Sequence, residues 1–136
     1  MIDTNQIVRA YLADALVNPA LAGLVGGRIY CPRLPENAVL PAIGFFTRGG
    51  TSTPYIPDIL TPSVQFDCWA ADPITARQIY RALYDSLQGI QHVKVTIGAV
   101  DYFILSAREE VQGQDLVDTD IPGYYRTLCF FEIMLR

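Results

Sequence analysis

The hydrophobic pattern between residues 62 and 89 changes from a period of two to a period near 3.6. Val64, Phe66 and Cys68 alternate with polar residues, which predicts a half-buried strand. A second set of apolar residues then recurs at helical spacing: Ala76, Ile79, Tyr80, Leu83 and Leu87. This spacing places all five on one side of an amphipathic helix. The stretch therefore predicts a strand that runs directly into a helix, and we expect the rest of the chain to cover or extend this unit.

The helix in this stretch carries start and stop signals. Asp72 can accept hydrogen bonds from the free amides of a first helical turn, and Pro73 fits the first helical position. Gly89 follows the last apolar residue and tolerates the positive φ of a helix end. We therefore expect a helix from Pro73 to about Leu87.

The same two periods predict the remaining elements. A first helix is expected over residues 3–17, with an apolar stripe made of Val8, Tyr11, Leu12, Ala15 and Leu16. A short helical turn follows from Pro19 to Leu24. Strands are expected over residues 28–30, 42–48, 93–97, 100–111 and 124–136, and Gly49 and Gly50 are expected to end the second of these.

Two segments lack either period. Residues 51–61 contain Pro54 and Pro57, which argue against a central strand, yet they are too apolar for a free linker. Residues 113–123 read as a loop that carries three aspartates. Both segments are candidates for binding, because binding residues concentrate on loops held by a rigid scaffold.

This order of elements predicts a single α+β domain over residues 1–136, with a mostly antiparallel sheet of about four main strands and two main helices packed on one face. The last two strands, around Tyr102 and Leu128, are apolar on both faces. Two helices cannot cover both faces of such a sheet. Either loops or neighbouring subunits must cover the second face, and the apolar excess favours neighbouring subunits.

Composition narrows the function. The chain has ten Lys and Arg residues against fourteen Asp and Glu residues, a net charge of -4, and no basic cluster that would grip phosphates. Apolar residues make up 51% and charged residues 18%, so part of the apolar surface is available to a partner. The sequence has no apolar run long enough to span a bilayer and no signal-peptide pattern, which favours a cytosolic protein. Three widely spaced cysteines argue against a disulfide framework or a zinc site.

The sequence offers little catalytic chemistry. His92 is the only histidine and belongs to no recognised catalytic motif. Asp115, Asp118 and Asp120 lack the glycine and glutamate of a calcium-binding EF-hand loop, so they predict a solvated acidic tip. Asp72 is explained as a helix cap, which leaves Asp67 without a second carboxylate for acid–base work. We therefore predict no enzymatic activity, no cofactor and no metal.

A resemblance adds to this interpretation. The runs LAGLVGGRIYCPRLPENAVLPAIGFF from Leu21 and VQFDCWAADPITARQIYRALYDSLQG from Val64, with a closing strand after Tyr124-Tyr125-Arg126, resemble the tail completion family of long-tailed bacteriophages. The resemblance spans nearly the whole chain and lies in the order and spacing of the elements.

The resemblance implies a structural virion protein. Members of this family are tail-terminator or head-to-tail joining proteins that form a homohexameric ring, cap the tail tube and offer a surface to the neck connector. It thus implies the tail tube protein and the connector as partners, DNA passing through the ring without specific binding, and no membrane. It also implies a place in the tail or neck of a virion assembled in the bacterial host cytoplasm. Another neck or head-completion protein, a stand-alone bacterial binding module and an unrecognised small enzyme are the alternatives.

The two irregular segments supply the candidate site residues. Tyr55, Ile56, Ile59 and Leu60 are expected at a protein interface, against a neighbouring subunit or a tail protein. Asp115, Asp118 and Asp120 are expected to stay hydrated, turned toward a central channel where their charge repels passing DNA. The alternative is that both segments are merely surface that tolerates change.

Overall fold

A computed structural model of the chain describes residues 3–52, 54–56, 58–116 and 123–136. The helices are α1 (Thr4–Leu12), α2 (Pro19–Val25) and α3 (Pro73–Leu87). The strands are β1 (Ile29–Tyr30), β2 (Ala42–Ser52), β3 (Leu60–Ala70), β4 (Gln91–Ile97), β5 (Val100–Leu116) and β6 (Tyr125–Leu135). The α+β class predicted from the sequence is confirmed.

The described strands form one sheet in the order β1-β2-β3-β6-β5-β4. Every neighbouring pair is antiparallel except β1 and β2, which are parallel. The sheet has six strands rather than about four because the two short strands, β1 and β4, pair at its edges. Likewise, α2 adds a third helix to the two main ones that the sequence predicts.

The strand and helix predicted around residues 62–89 form as expected. Asp72 caps α3: its Oδ1 accepts from the Thr75 backbone N–H at 2.9 Å, and its Oδ2 accepts from the Thr75 hydroxyl at 2.7 Å. Pro73 occupies the first turn, and Gly89 has a φ of 79°. All five residues of the predicted stripe are buried. Pattern and capping chemistry therefore agree in this unit.

The core lies between the helices and one face of the sheet. α3 packs on β3, β5 and β6. α1 contacts β1 and β2 at one edge of the sheet and β4 at the opposite edge. The sheet is thus curled, and α1 bridges its two edges. Three phenylalanines form a row across the central strands, with ring centroids 5.9 Å apart for Phe45 and Phe66 and 5.8 Å apart for Phe66 and Phe131.

The first helix is shorter than predicted. It ends at Leu12, and the stripe predicted to include Ala15 and Leu16 fails there, because Leu16 is 95% exposed. The Asp14 carboxylate accepts from the Leu16 backbone N–H at 3.0 Å, which offers the backbone an alternative to the helix. Asn18 donates to the Tyr11 carbonyl at 2.8 Å and so satisfies a carbonyl of the last turn. Local side-chain bonding therefore ends α1 where the hydrophobic period alone would continue it.

Two strands run past the glycines that were expected to stop them. β2 continues to Ser52 through a bulge between Thr47 and Gly50. Gly50 has a φ of 139°, and a Cβ there would overlap the backbone of the facing strand β3, so only glycine fits this bulge. β5 continues to Leu116 rather than ending at Val111, with register shifts that absorb its irregular middle.

The packing of α3 gives a first prediction. Leu83→Ala removes a fully buried side chain and should lower the free energy of unfolding by about 2–5 kcal/mol. Asp72→Ala removes only an exposed cap and should cost less.

The cap also makes stability depend on pH. Hydrogen bonds from the Thr75 hydroxyl and backbone lower the pKa of Asp72, so the contribution of Asp72 to stability is present near pH 7 and is lost as pH falls through that lowered value. Urea denaturation at pH 7 and pH 3 measures both effects, and equal costs for the two variants at pH 7 would contradict this packing.

Candidate functional site

The described strand ends next to the two segments singled out from the sequence lie at opposite ends of the sheet. The β2–β3 connection lies where Leu60 pairs with Leu135, and the β5–β6 connection lies where Ala70 pairs with Tyr125. At roughly 3.3 Å per residue along β3, these two ends are about 33 Å apart. Here the end with the β2–β3 connection is called the lower end and the other the upper end.

The segment predicted as irregular over residues 51–61 is a hairpin turn with two strand ends. Thr51 belongs to β2, and Leu60 pairs with both Ser52 and Leu135, so the prediction of an irregular segment is wrong at both its ends. The side chain of Tyr55 is 91% exposed and that of Ile56 is 51% exposed.

Ile59 and Leu60 are half-buried, so the four predicted interface residues are divided. Tyr55 and Ile56 project from the lower end, whereas Ile59 and Leu60 support the hairpin. The role of this set at an interface stays a prediction.

The predicted acidic loop begins inside a strand. Asp115 lies in β5, where it pairs with Arg77 at 3.5 Å and accepts from the Thr127 hydroxyl at 3.0 Å. Asp118 and Asp120 lie outside the described residues. The prediction of a loop starting at Gly113 is wrong for the residues up to Leu116. The orientation of the three aspartates toward a channel stays a prediction.

A group of contacts ties α3 to the upper part of β5. Arg77 donates to the Gly113 carbonyl at 2.8 Å, and the Tyr80 hydroxyl donates to the Glu109 carboxylate. Burial, and then this hydrogen bond, raise the pKa of Tyr80 to about 12. Gly113 allows the close approach, because a Cβ there would overlap the Tyr80 ring. Sequence analysis missed this contact because Arg77 lies off the apolar stripe and its partners are more than 30 residues away.

The face of the sheet opposite the helices is called the outer face. Strand register assigns to it, among others, Phe46, Gln65, Asp67, Trp69, Leu128, Phe130, Glu132 and Met134. Most of these side chains are half-exposed, in contrast to the buried residues that alternate with them in β6. Loop residues cross part of this face: a Cβ on Gly44 would lie 3.4 Å from the Cα of Arg33. Near Gly44, therefore, a loop of the same chain covers the outer face, which is one of the two alternatives that the sequence left open.

Arginines cover further parts of the outer face. The Arg48 guanidinium lies 3.9 Å from the centre of the Phe130 ring, and that of Arg126 lies 5.2 Å from the centre of the Trp69 ring. Stacking of this kind attracts the cation to the ring and shields the ring from water. The sequence shows nine arginines and a single lysine but not this use of them. These contacts reduce the apolar area that a neighbouring subunit would have to cover.

One charged side chain of the outer face is almost fully buried. Asp67 is 8% exposed, and its Oδ1 lies 3.6 Å from Nη1 of Arg126. Among the described residues, neither this oxygen nor Nε of Arg126 has a hydrogen-bond partner, although both are buried. Burial raises the pKa of Asp67, while Arg126 and a hydrogen bond with Gln65 oppose the shift. The ion pair therefore compensates only part of the cost of burying the carboxylate.

The described residues offer no metal site: no three His, Cys, Asp or Glu side chains there are grouped to hold an ion. The His92 ring stacks on Phe103 with centroids 5.0 Å apart, which is a packing contact. None of the helices in the described part of the chain is long and apolar enough to cross a membrane.

Comparison with known proteins gives a similarity of fold. No family model matches the chain, and no curated protein matches it. A solved structure described as the virion of a native gene transfer agent particle contains a chain with a similar fold, with a TM-score of 0.61 and 14% sequence identity. The match covers 99% of this chain and 98% of that chain. The two chains therefore share one fold over their whole lengths.

The buried carboxylate gives a second prediction. Because folding raises the pKa of Asp67, its stabilising contribution is fully present below its unfolded pKa, about 3.9, and is lost as pH rises through the folded value. Wild-type protein should therefore gain stability relative to Asp67→Asn as pH falls from 7 to about 4. Urea denaturation across this range measures the difference, with the exposed Asp58→Asn as the control. A difference that moves in favour of Asp67→Asn at low pH would contradict the assignment.

Proposed function

We propose that this chain is a structural protein of a phage-like virion, which caps the tail tube as a ring and joins the tail to the neck connector under the head. The observation that carries the proposal is the fold match to a chain of a gene transfer agent virion, which leaves almost no residue of either chain outside it. The sequence resemblance to the tail completion family supports the finer role. In this proposal the protein resides in the tail or neck and assembles in the cytoplasm of a bacterial host.

The arrangement of the sheet supports a joining role. A protein between tube and connector needs two separate contact surfaces, and this chain has exposed side chains at two opposite ends. Tyr55 and Ile56 lie at the lower end, and Ile74, at the start of α3, is exposed at the upper end. Apolar side chains of this kind supply much of the binding energy in protein contacts.

The charge balance supports passage of DNA without binding. The net charge is -4, and the Arg48, Arg108 and Arg126 guanidinium groups are engaged by rings or carboxylates of the same chain. A ring built from such subunits offers few free cations to phosphates. In the proposal Asp118 and Asp120 supply the charge that repels DNA in the channel over about a Debye length of 8 Å, since the Asp115 carboxylate is paired with Arg77.

Tube growth tests the proposal. Tail tube protein of the same particle should polymerise freely alone, and addition of the purified chain should stop growth and leave capped tubes of limited length. Ile56→Asp places a charge on an exposed apolar contact and should abolish capping while the domain stays folded. Electron microscopy of tube lengths measures the effect, and circular dichroism checks the fold of the variant.

The outcome also separates the alternatives. Tubes that grow undiminished with wild-type protein present would contradict a capping role. If the protein then bound the connector instead, it would be a different neck or head-completion protein.

A further inference from the structure

Two hairpins project from the lower end of the sheet, on either side of the C-terminus of β6. The β2–β3 hairpin carries the exposed Ile56, and the β4–β5 hairpin carries Val100, which is 51% exposed. Val100 pairs with Ile97, and β5 meets the end of β6 only at Phe103, whose backbone exchanges hydrogen bonds with Arg136. Each copy therefore presents an apolar tip on both sides of its lower end.

β4 is the last strand of the described sheet, and part of its backbone points away from β5, although α1 contacts this strand. Phe103 and Arg136 exchange backbone hydrogen bonds of 3.2 and 2.9 Å, so the backbone groups of Phe103 point away from β4. Lys94 lies opposite Phe103, and its own N–H and C=O must therefore point away from β5. Alternation gives Thr96 the same orientation. The side chains of both residues are exposed.

The lower half of β2 has no described strand partner on the β1 side, although the Thr47 hydroxyl there donates to the side-chain carbonyl of Asn5 in α1 at 2.7 Å. The Ile43 N–H donates to the Arg28 carbonyl at 3.0 Å, so the backbone groups of Ile43 face the β1 side, and alternation gives Thr47 the same direction. β1 ends at Tyr30, opposite Gly44, and leaves Thr47 beyond it. A groove of about 240 Å³ lies at the lower ends of β2 and β3 and the start of α1, lined by Thr4, Gly49, Gly50, Thr51, Ser52, Leu60 and Pro62.

The two edges are complementary in direction and in charge. Every pairing between β2 and β4 in the sheet order is antiparallel, so β2 and β4 run in the same direction. In two copies related by rotation about an axis parallel to the strands, β4 of one copy would pair in parallel with β2 of the other. Lys94, the only lysine of the chain, is exposed on β4. Asp3 is exposed and precedes Thr4, which lines the groove. Burial is the main cause that raises the pKa of Cys31, the residue after β1, and the charge of Asp3 is the second cause. A negative charge therefore lies beside the β2 edge and a positive one on the β4 edge.

We propose that β4 of one copy adds as a parallel strand to the lower edge of β2 in a second copy, with Lys94 facing Asp3 and Val100 meeting the β2–β3 hairpin around Ile56. The contact joins two different surfaces, and repetition by a rotation that divides a full turn closes a ring. A lysine on an edge strand discourages indiscriminate pairing, and Asp3 would admit this particular partner. The inference rests on the proposed function, since it names the subunit contact of the proposed ring.

A matched pair of variants tests this contact. Val100→Asp and Val111→Asp place the same charge on β5 side chains of similar exposure, 51% and 46%, but Val111 lies on the outer face. Val100→Asp should weaken self-association by at least about tenfold, whereas Val111→Asp should assemble like wild type. Lys94→Glu and Asp3→Asn should each weaken association, and asparagine keeps the cap that the Asp3 side chain gives α1 by accepting from the Asn5 backbone N–H. Sedimentation analysis over a range of concentrations measures each case, and circular dichroism confirms the fold.

The outcomes separate this inference from the proposed function. Rings that survive Val100→Asp, or Lys94→Glu and Asp3→Asn variants that assemble like wild type, would overturn the contact without contradicting a capping ring. Dissociation by Val111→Asp alone would place the contact on the outer face and overturn it equally. Association that depends on Val100 in a protein that does not stop tube growth would support the contact and overturn the capping role. A wild-type chain that stays monomeric at every concentration would overturn both.

Discussion

The packing of α3 against β3, β5 and β6 is the interaction on which the rest of the structure depends. β3 and α3 are consecutive in the chain, so the helix returns directly over the strand that precedes it. Leu83 and its neighbours in the apolar stripe are buried against the sheet, beside the phenylalanine row formed by Phe45, Phe66 and Phe131. This packing holds the central strands in register, and their register places both projecting hairpins and the outer face.

Local signals predicted what local chemistry determines. Asp72, Pro73 and Gly89 gave the correct bounds of α3, and the period of two predicted the centre of every main strand. Errors arose where contacts outside the hydrophobic period decide the outcome. α1 ends early because Asn18 and Asp14 bond to its C-terminal turn and the turn after it, and β2 passes two glycines because β3 pairs with the strand beyond the bulge.

The candidate surfaces were predictable only in part. Sequence analysis found the exposed Tyr55 and Ile56, but it grouped them with Ile59 and Leu60, which support the hairpin. It did not find Val100 or the outward-pointing backbone groups of β4. The direction of these groups follows from strand pairing, which the hydrophobic pattern does not reveal. Nor did it find the arginines stacked over Phe130 and Trp69, since such contacts join residues on different strands. Through these contacts the chain itself covers part of the outer face, which leaves the sheet edges as the candidate surfaces for a neighbouring copy.

Native mass spectrometry of the purified chain tests the central claim most directly, that this fold works as a closed ring of identical subunits. The account predicts one dominant closed species of about six copies, without a ladder of larger assemblies, because in the proposed ring the rotation between neighbours closes after one full turn. A monomer at every concentration, or an open series of assemblies without a preferred size, would contradict it.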